Sequence, residues 1–409
     1  MTQVRRRLDE AFFCLCCLAS SAGAHSPTGA PAPAIVRSER DLLAALESIE
    51  PTPLDALTGY GKREFIREMR WRDDALVGFG TVPLIRELDR AGLAAVLHWL
   101  DSSVYLPALE RQLVGPPLRL PAPAALVGEA IAALRQFADE EDRRRSAQTA
   151  PVTETAAPAV LRRYRDLFGA RMDASALTAQ PVGDLVVLFD AAALAVERNP
   201  GSSALDDLVR VHGEFRSRGV DTARTLDASV MHALLAARQF GQARVFAAGR
   251  PNLADMPVPL IEDRLGPTFQ ERSVFAYDAT RNTLVRQALP VPTGVELVMV
   301  VGAGCHNSDN ALTALHRDAA LQARLLGLNL VIVTPPAAGF DTKLLTEWNA
   351  ANPALPIRVP YRAQEWRDLA RTGVPAFYLL RNGQLVGERI GWPANGKALL
   401  GELIEQAAR

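Results

Sequence analysis

The chain has 409 residues, a net charge of −1 from 45 Lys and Arg against 46 Asp and Glu, and 48% hydrophobic residues with only 6% aromatics. That length exceeds one typical core and favours two or three domains. The balanced charge leaves no global field to attract nucleic acid or an anionic membrane, and the Ala-, Leu- and Arg-rich composition leans towards helix.

Residues 1–24 read as a signal peptide, with Arg5-Arg6-Arg7 as the basic region, Ala11 to Leu18 as a short apolar core and Ala22-Gly23-Ala24 as the cleavage site. Asp9 and Glu10 are atypical there. The expected product is periplasmic or secreted. No later stretch has the roughly 18 apolar residues that a membrane-spanning helix needs, so stable membrane insertion is not expected.

Residues 25–36 form a Pro/Gly/Ala-rich tether. Over 37–138 the period is helical: Leu42, Leu43, Leu46 and Ile49 share a face, Phe65, Ile66 and Met69 follow, and Asp89 caps a run through Leu93, Val96, Leu97 and Leu100. Residues 139–157, with an acidic cluster, Arg143-Arg144-Arg145 and a Ser/Thr/Ala/Pro stretch, have the composition of a solvated linker.

A second helical region, 158–266, contains expected helices at Val160–Phe168, Asp184–Glu197, Leu205–Phe215 and Leu226–Arg238. Short turns imply stacked antiparallel pairs. Met231 to Pro251, with Ala236, Phe240 and Ala243 at contact positions, faintly resembles a tetratricopeptide repeat, which implies a protein-binding helical array. His98, His212 and His232 have no metal-site spacing.

In 267–409 the period changes. Strands are expected at Leu284–Leu289, Glu296–Val301, Asn329–Thr334, Ile357–Val359, Ala376–Leu380 and Leu385–Ile390, with helices at Asn310–Leu326, Leu344–Ala351, Gln364–Arg371 and Lys397–Gln406. Asn382-Gly383 predicts a tight hairpin. The fold class is therefore α + α/β, helical regions followed by a small mixed-sheet domain. Gly391 to Lys397 mimics a phosphate-loop spacing, but Ala398 replaces the Ser or Thr that would hold magnesium and Pro393 removes a cradling N–H, so a turn is expected.

Cys305 is the candidate chemical residue. It lies in Gly304-Cys305-His306-Asn307-Ser308, between an apolar run and a helical pattern. The free N–H groups and dipole of a helix's first turn stabilise a thiolate placed there. Cys14, Cys16 and Cys17 fall within the expected signal peptide, which leaves Cys305 as the lone thiol of the processed chain.

This order of elements, with Cys305 after a strand and Gly373-Val374-Pro375 before the hairpin, resembles the thioredoxin-like superfamily over the last third of the chain. The resemblance implies that Cys305 is the attacking cysteine, Pro375 a cis proline opposite it, and Val374 the backbone that pairs with a substrate strand. Ser308 stands where the resolving cysteine would be, giving Cys-x-x-Ser, and is expected to donate a hydrogen bond to the thiolate. His306, if protonated, would add positive charge beside the sulfur. Met299 stands about where many thioredoxins bury an acid, and Gly302 replaces the threonine that peroxiredoxins need.

The expected chemistry is monothiol: a mixed disulfide with a protein thiol or disulfide client, as in an oxidoreductase or isomerase, with no cofactor and no metal. The alternative is a non-catalytic scaffold that binds proteins through its helices and carries a degenerate thioredoxin fold.

Overall fold

The structure, a computed structural model, describes residues 34–147, 157–336, 338–369 and 373–407. The expected signal peptide, residues 1–24, lies outside them, as does the tether up to residue 33. The end of the tether is anchored: Val36 is buried, and its N–H donates to the Trp99 carbonyl at 2.8 Å.

The first helical region contains α1 (Glu39–Glu47), α2 (Gly59–Glu68), α3 (Val82–Glu87), α4 (Arg90–Trp99) and α5 (Leu106–Glu110). Its core gathers Leu42, Leu54, Phe65, Leu84, Leu93, Leu97 and Trp99. Asp89 caps α4 by accepting from the Gly92 N–H at 2.8 Å, which satisfies one of the donors a helix start leaves free. The all-helical expectation fails at β1 (Arg70–Arg72) and β2 (Ala75–Gly78), an antiparallel hairpin. Its two turn residues, Asp73 and Asp74, both take positive φ (48° and 65°), so Asp supplies the left-handed turn that Asn-Gly or Asp-Gly usually signals.

The expected linker at 139–157 also differs. Residues 139–147 continue α6 (Ala125–Ala147), and an Asp142–Arg198 ion pair at 2.8 Å ties that end to a neighbouring helix. The acids and arginines that suggested a solvated segment instead decorate the exposed side of a helix, as with Arg144 and Glu141 one turn apart at 2.5 Å.

The second helical region follows as α7 (Ala157–Phe168), α8 (Ala174–Ala179), α9 (Val182–Arg198), α10 (Ala204–Ser217), α11 (Leu226–Ala236) and α12 (Phe240–Ala247). Apolar residues recur all round α9, and it is correspondingly central: α7, α10 and α11 pack on it.

The C-terminal sheet has eight strands: β3 (Leu260–Asp263), β4 (Ser273–Asp278), β5 (Thr283–Ala288), β6 (Val295–Val300), β7 (Val331–Val333), β8 (Ile357–Pro360), β9 (Ala376–Arg381) and β10 (Gln384–Ile390). Their order is β10-β9-β6-β7-β8-β4-β5-β3. β6, β7 and β8 run parallel, while β9 and β10 are antiparallel and turn at Asn382-Gly383, both at positive φ. The helices are α13 (His306–Arg317), α14 (Ala319–Leu326), α15 (Thr342–Ala351) and α16 (Gly396–Ala407).

Two strands went unread in the sequence. β3 belongs to the sheet through parallel pairing with β5, although 158–266 was expected to be helical, and β4 bridges β5 and β8. The single helix expected over Asn310–Leu326 is two, because Asp318 leaves helical geometry and caps α14 with its side chain on the Leu321 N–H. The Gln364–Arg371 helix is a kinked 3-10 segment, Ala363–Leu369, as far as it is described.

The architecture is thus α + α/β, helices followed by a mixed-sheet α/β domain. One core is shared between the second helical region and the sheet. Phe240, opening α12, packs edge-on against Phe275 of β4 (5.9 Å between centroids) and lies 6.2 Å from Phe340.

Candidate functional site

The sheet's register assembles the site. Val300 of β6 is level with Ala376 of β9 on one side and Val333 of β7 on the other. Parallel β6 and β7 therefore release their following loops at the same end, where antiparallel β9 begins. Cys305, Pro375 and the segment after β7 converge there from distant parts of the chain.

Cys305 is the N-cap of α13 and is partly exposed. Its Sγ donates to the Val374 carbonyl at 3.4 Å, and the Val374–Pro375 peptide bond is cis. Pro375 is buried, and its carbonyl accepts from the Gly391 N–H at 2.7 Å, which ties the end of β10 to this loop. The residues read as a phosphate-loop mimic thus begin with a strap on the proline loop.

Ser308 is fully buried, and its Oγ accepts from the Gly302 N–H at 3.1 Å. Ser308 thus anchors the loop that leads to the thiol, through its acceptor capacity. His306 is exposed at the first position of α13. Met299, within β6, is buried in the core.

Gly302 was read only as a missing threonine, and the structure gives it a positive reason. A Cβ there would lie 2.7 Å from Val374 Cγ2 and 3.8 Å from Cys305 Cβ, so the absent side chain is what lets the proline loop close over the cysteine loop. Gly302 is thus tied to Ser308 by a hydrogen bond, and Cys305 to Val374 by another. A glycine three residues before the cysteine was the available signal.

The helical region has a polar cluster of another kind. Asp190 accepts a bidentate pair from Arg86 (3.0 and 2.7 Å) and the Tyr60 hydroxyl at 2.8 Å, with Arg135 3.9 Å away and itself paired with Glu64. Burial pushes the Asp190 carboxyl upward, but Arg86 and Arg135 outweigh it and hold the group below its ordinary value. Elsewhere His212 Nε2 meets Asp227 Oδ1 at 2.6 Å, both buried. No group of three or more His, Cys, Asp or Glu is placed to hold a metal among the described residues, and no described helix is long and apolar enough to cross a membrane.

No family model matches the chain, and no curated protein matches it. Solved structures that are similar over part of it include the following two. One is the solution structure of a thioredoxin-like protein in the oxidized form, 20% identical, with a TM-score of 0.24, covering 29% of this chain and 79% of that one. The other is the crystal structure of a thioredoxin-like protein from Bacteroides caccae, 13% identical, with a TM-score of 0.25, covering 71% of this chain and 99% of that one. At those scores neither likeness bears weight, and the fold rests on its own strand order and register.

Proposed function

We propose that this protein acts on protein thiols and disulfides through Cys305, as a monothiol oxidoreductase or isomerase outside the cytoplasm. The observation that carries the reading is a partly exposed sulfur at the mouth of α13, 3.4 Å from the carbonyl of the residue that precedes cis Pro375. The thiolate is the attacking species in this chemistry.

The steps balance without a cofactor. The Cys305 thiolate attacks one sulfur of a client disulfide, a bond forms between Cys305 and that sulfur, and the other client sulfur leaves as a thiolate that takes a proton from water. A second client thiol, deprotonated, then attacks the client sulfur of the mixed disulfide, forming a new client disulfide and releasing the Cys305 thiolate. The exchange is redox-neutral and rearranges disulfides. Ser308 cannot resolve the intermediate, so its lifetime is set by the client.

The second reading is a scaffold that binds proteins without turnover. It is favoured by the engagement of Ser308 in loop packing rather than with the thiol. Incubation with scrambled ribonuclease A followed by acid quench separates the two. Redox action gives a covalent adduct that reducing agent releases and Cys305→Ser abolishes; no adduct, together with a thiol inert to iodoacetamide in the folded protein, overturns it in favour of the scaffold.

A further inference from the structure

Arg238 occupies a backbone position that does not suit it. It follows α11 with φ +60°, and its N–H closes the helix end on the Leu235 carbonyl at 3.1 Å. Glycine is the residue favoured at such a left-handed helix end, because an L side chain crowds its own carbonyl there. A side chain kept against that preference points to a use for the side chain.

The guanidinium reaches across to the sheet domain. It donates to the Leu235 carbonyl at 2.9 Å, to Ala338 at 3.1 Å, to Pro360 at 3.0 Å and, at the limit, to Pro336 at 3.5 Å, with the Phe340 ring centroid 5.9 Å away. No carboxylate pairs with it among the described residues. Pro336 and Ala338 follow β7, and Pro360 ends β8, so both segments leave the sheet at the end that carries Cys305.

Strand spacing sets the scale. Neighbouring strands lie about 4.8 Å apart, which puts the segment above β7 about 5 Å and that above β8 about 10 Å to the side of β6. A protein partner covers about 800 Å² on each side, a disc of roughly 16 Å radius. A disc of that size around Cys305 reaches the segments after β7 and β8, where Pro336 and Pro360 are buried but Ala338, Gly339 and Tyr361 are partly exposed, whereas a small disulfide touches only the sulfur.

We propose that Arg238 is a positioning residue for protein clients: it locks the segments after β7 and β8 to the turn between α11 and α12, and so makes the helical array part of the surface on which a client is captured. This rests on the thiol chemistry proposed above.

The test compares full-length wild type with Arg238→Gly, which suits the positive φ and removes the clamp, and with Arg238→Lys, which keeps a cation but cannot reach several carbonyls at once. Backbone hydrogen exchange of the segments after β7 and β8 is expected to be about tenfold faster in Arg238→Gly. Reaction with the small disulfide 5,5′-dithiobis(2-nitrobenzoate) should stay at the wild-type rate, while capture of scrambled ribonuclease A slows by about tenfold, with Lys intermediate. Unchanged protein capture in Arg238→Gly, or an equal loss towards both reagents, overturns the proposal. A wild-type thiol inert to the small disulfide sinks the thiol chemistry instead, and exchange then decides by itself whether Arg238 holds these segments.

Discussion

Two polar clusters in this molecule are built on opposite terms. Around Asp190 every charge faces a partner inside the helical region: Arg86 forks onto both carboxylate oxygens, Tyr60 adds a hydroxyl and Arg135 bridges to Glu64. Around Cys305 the groups are fewer and lie at the rim of the sheet, and the sulfur is partly exposed, with one weak hydrogen bond to a carbonyl. Buried charges paired with one another are architecture, and lie between α2, α3, α6 and α9. A partly exposed cysteine beside the proline loop is the arrangement on which the proposed chemistry rests. Polar residues alone therefore do not mark a candidate site; exposure separates the two clusters.

The sharpest break of this contrast is Asp190→Ala. It strands Arg86 and Arg135 without their shared anion, and removing one partner from a buried charge cluster costs about 3–5 kcal/mol. Denaturant unfolding is expected to report that loss, while the iodoacetamide rate at Cys305 in the still-folded protein stays at the wild-type value. A changed rate would mean that the two clusters are coupled.

Gly302→Ala works on the other cluster. The new methyl would come 2.7 Å from Val374 Cγ2, and neither backbone nor a branched side chain gives way freely. Overpacking of this kind costs about 1–3 kcal/mol. The Val374 carbonyl should be displaced from the sulfur, so the expected signature is a modest loss of stability with faster alkylation of Cys305. Wild-type behaviour in both measurements would show that the proline loop is not held by this contact.

Ser308→Ala is the mildest change. It removes the acceptor of the Gly302 N–H, and a hydrogen bond of this sort contributes about 1 kcal/mol. Its expected effect on unfolding is of that size, and Ser308→Thr, which keeps the hydroxyl, tests whether the oxygen or the volume matters. A collapse of protein-disulfide capture with unchanged stability would instead return Ser308 to a direct role at the sulfur.

Much of the fold was legible because the relevant patterns are local. Apolar spacing located the helices from Val160 to Phe215, and Asn382-Gly383 located the hairpin. The missed elements depend on distant partners. β3 is short and only partly buried, and it becomes a strand by pairing with β5; β4 is defined by neighbours on both sides. The 139–147 charges looked solvated because their anchor, Arg198, lies far along the chain. At the site, Cys305 and Val374-Pro375 were readable from spacing and resemblance. The purpose of Gly302, the acceptor role of Ser308 and the reach of Arg238 were not, since each is fixed by an atom that only folding brings near.

The sheet cannot be excised at residue 266. Such a cut would discard β3, and with it the Asp263 carboxylate that lies 3.1 Å from the fully buried Arg286, along with the Gly266 carbonyl that the same guanidinium uses. It would also strip away Phe240 and uncover the aromatic face that it seals. The smallest autonomous piece bearing the thiol must therefore carry helices with it, because the sheet keeps its buried charge paired and its aromatic face covered only through residues that precede 267.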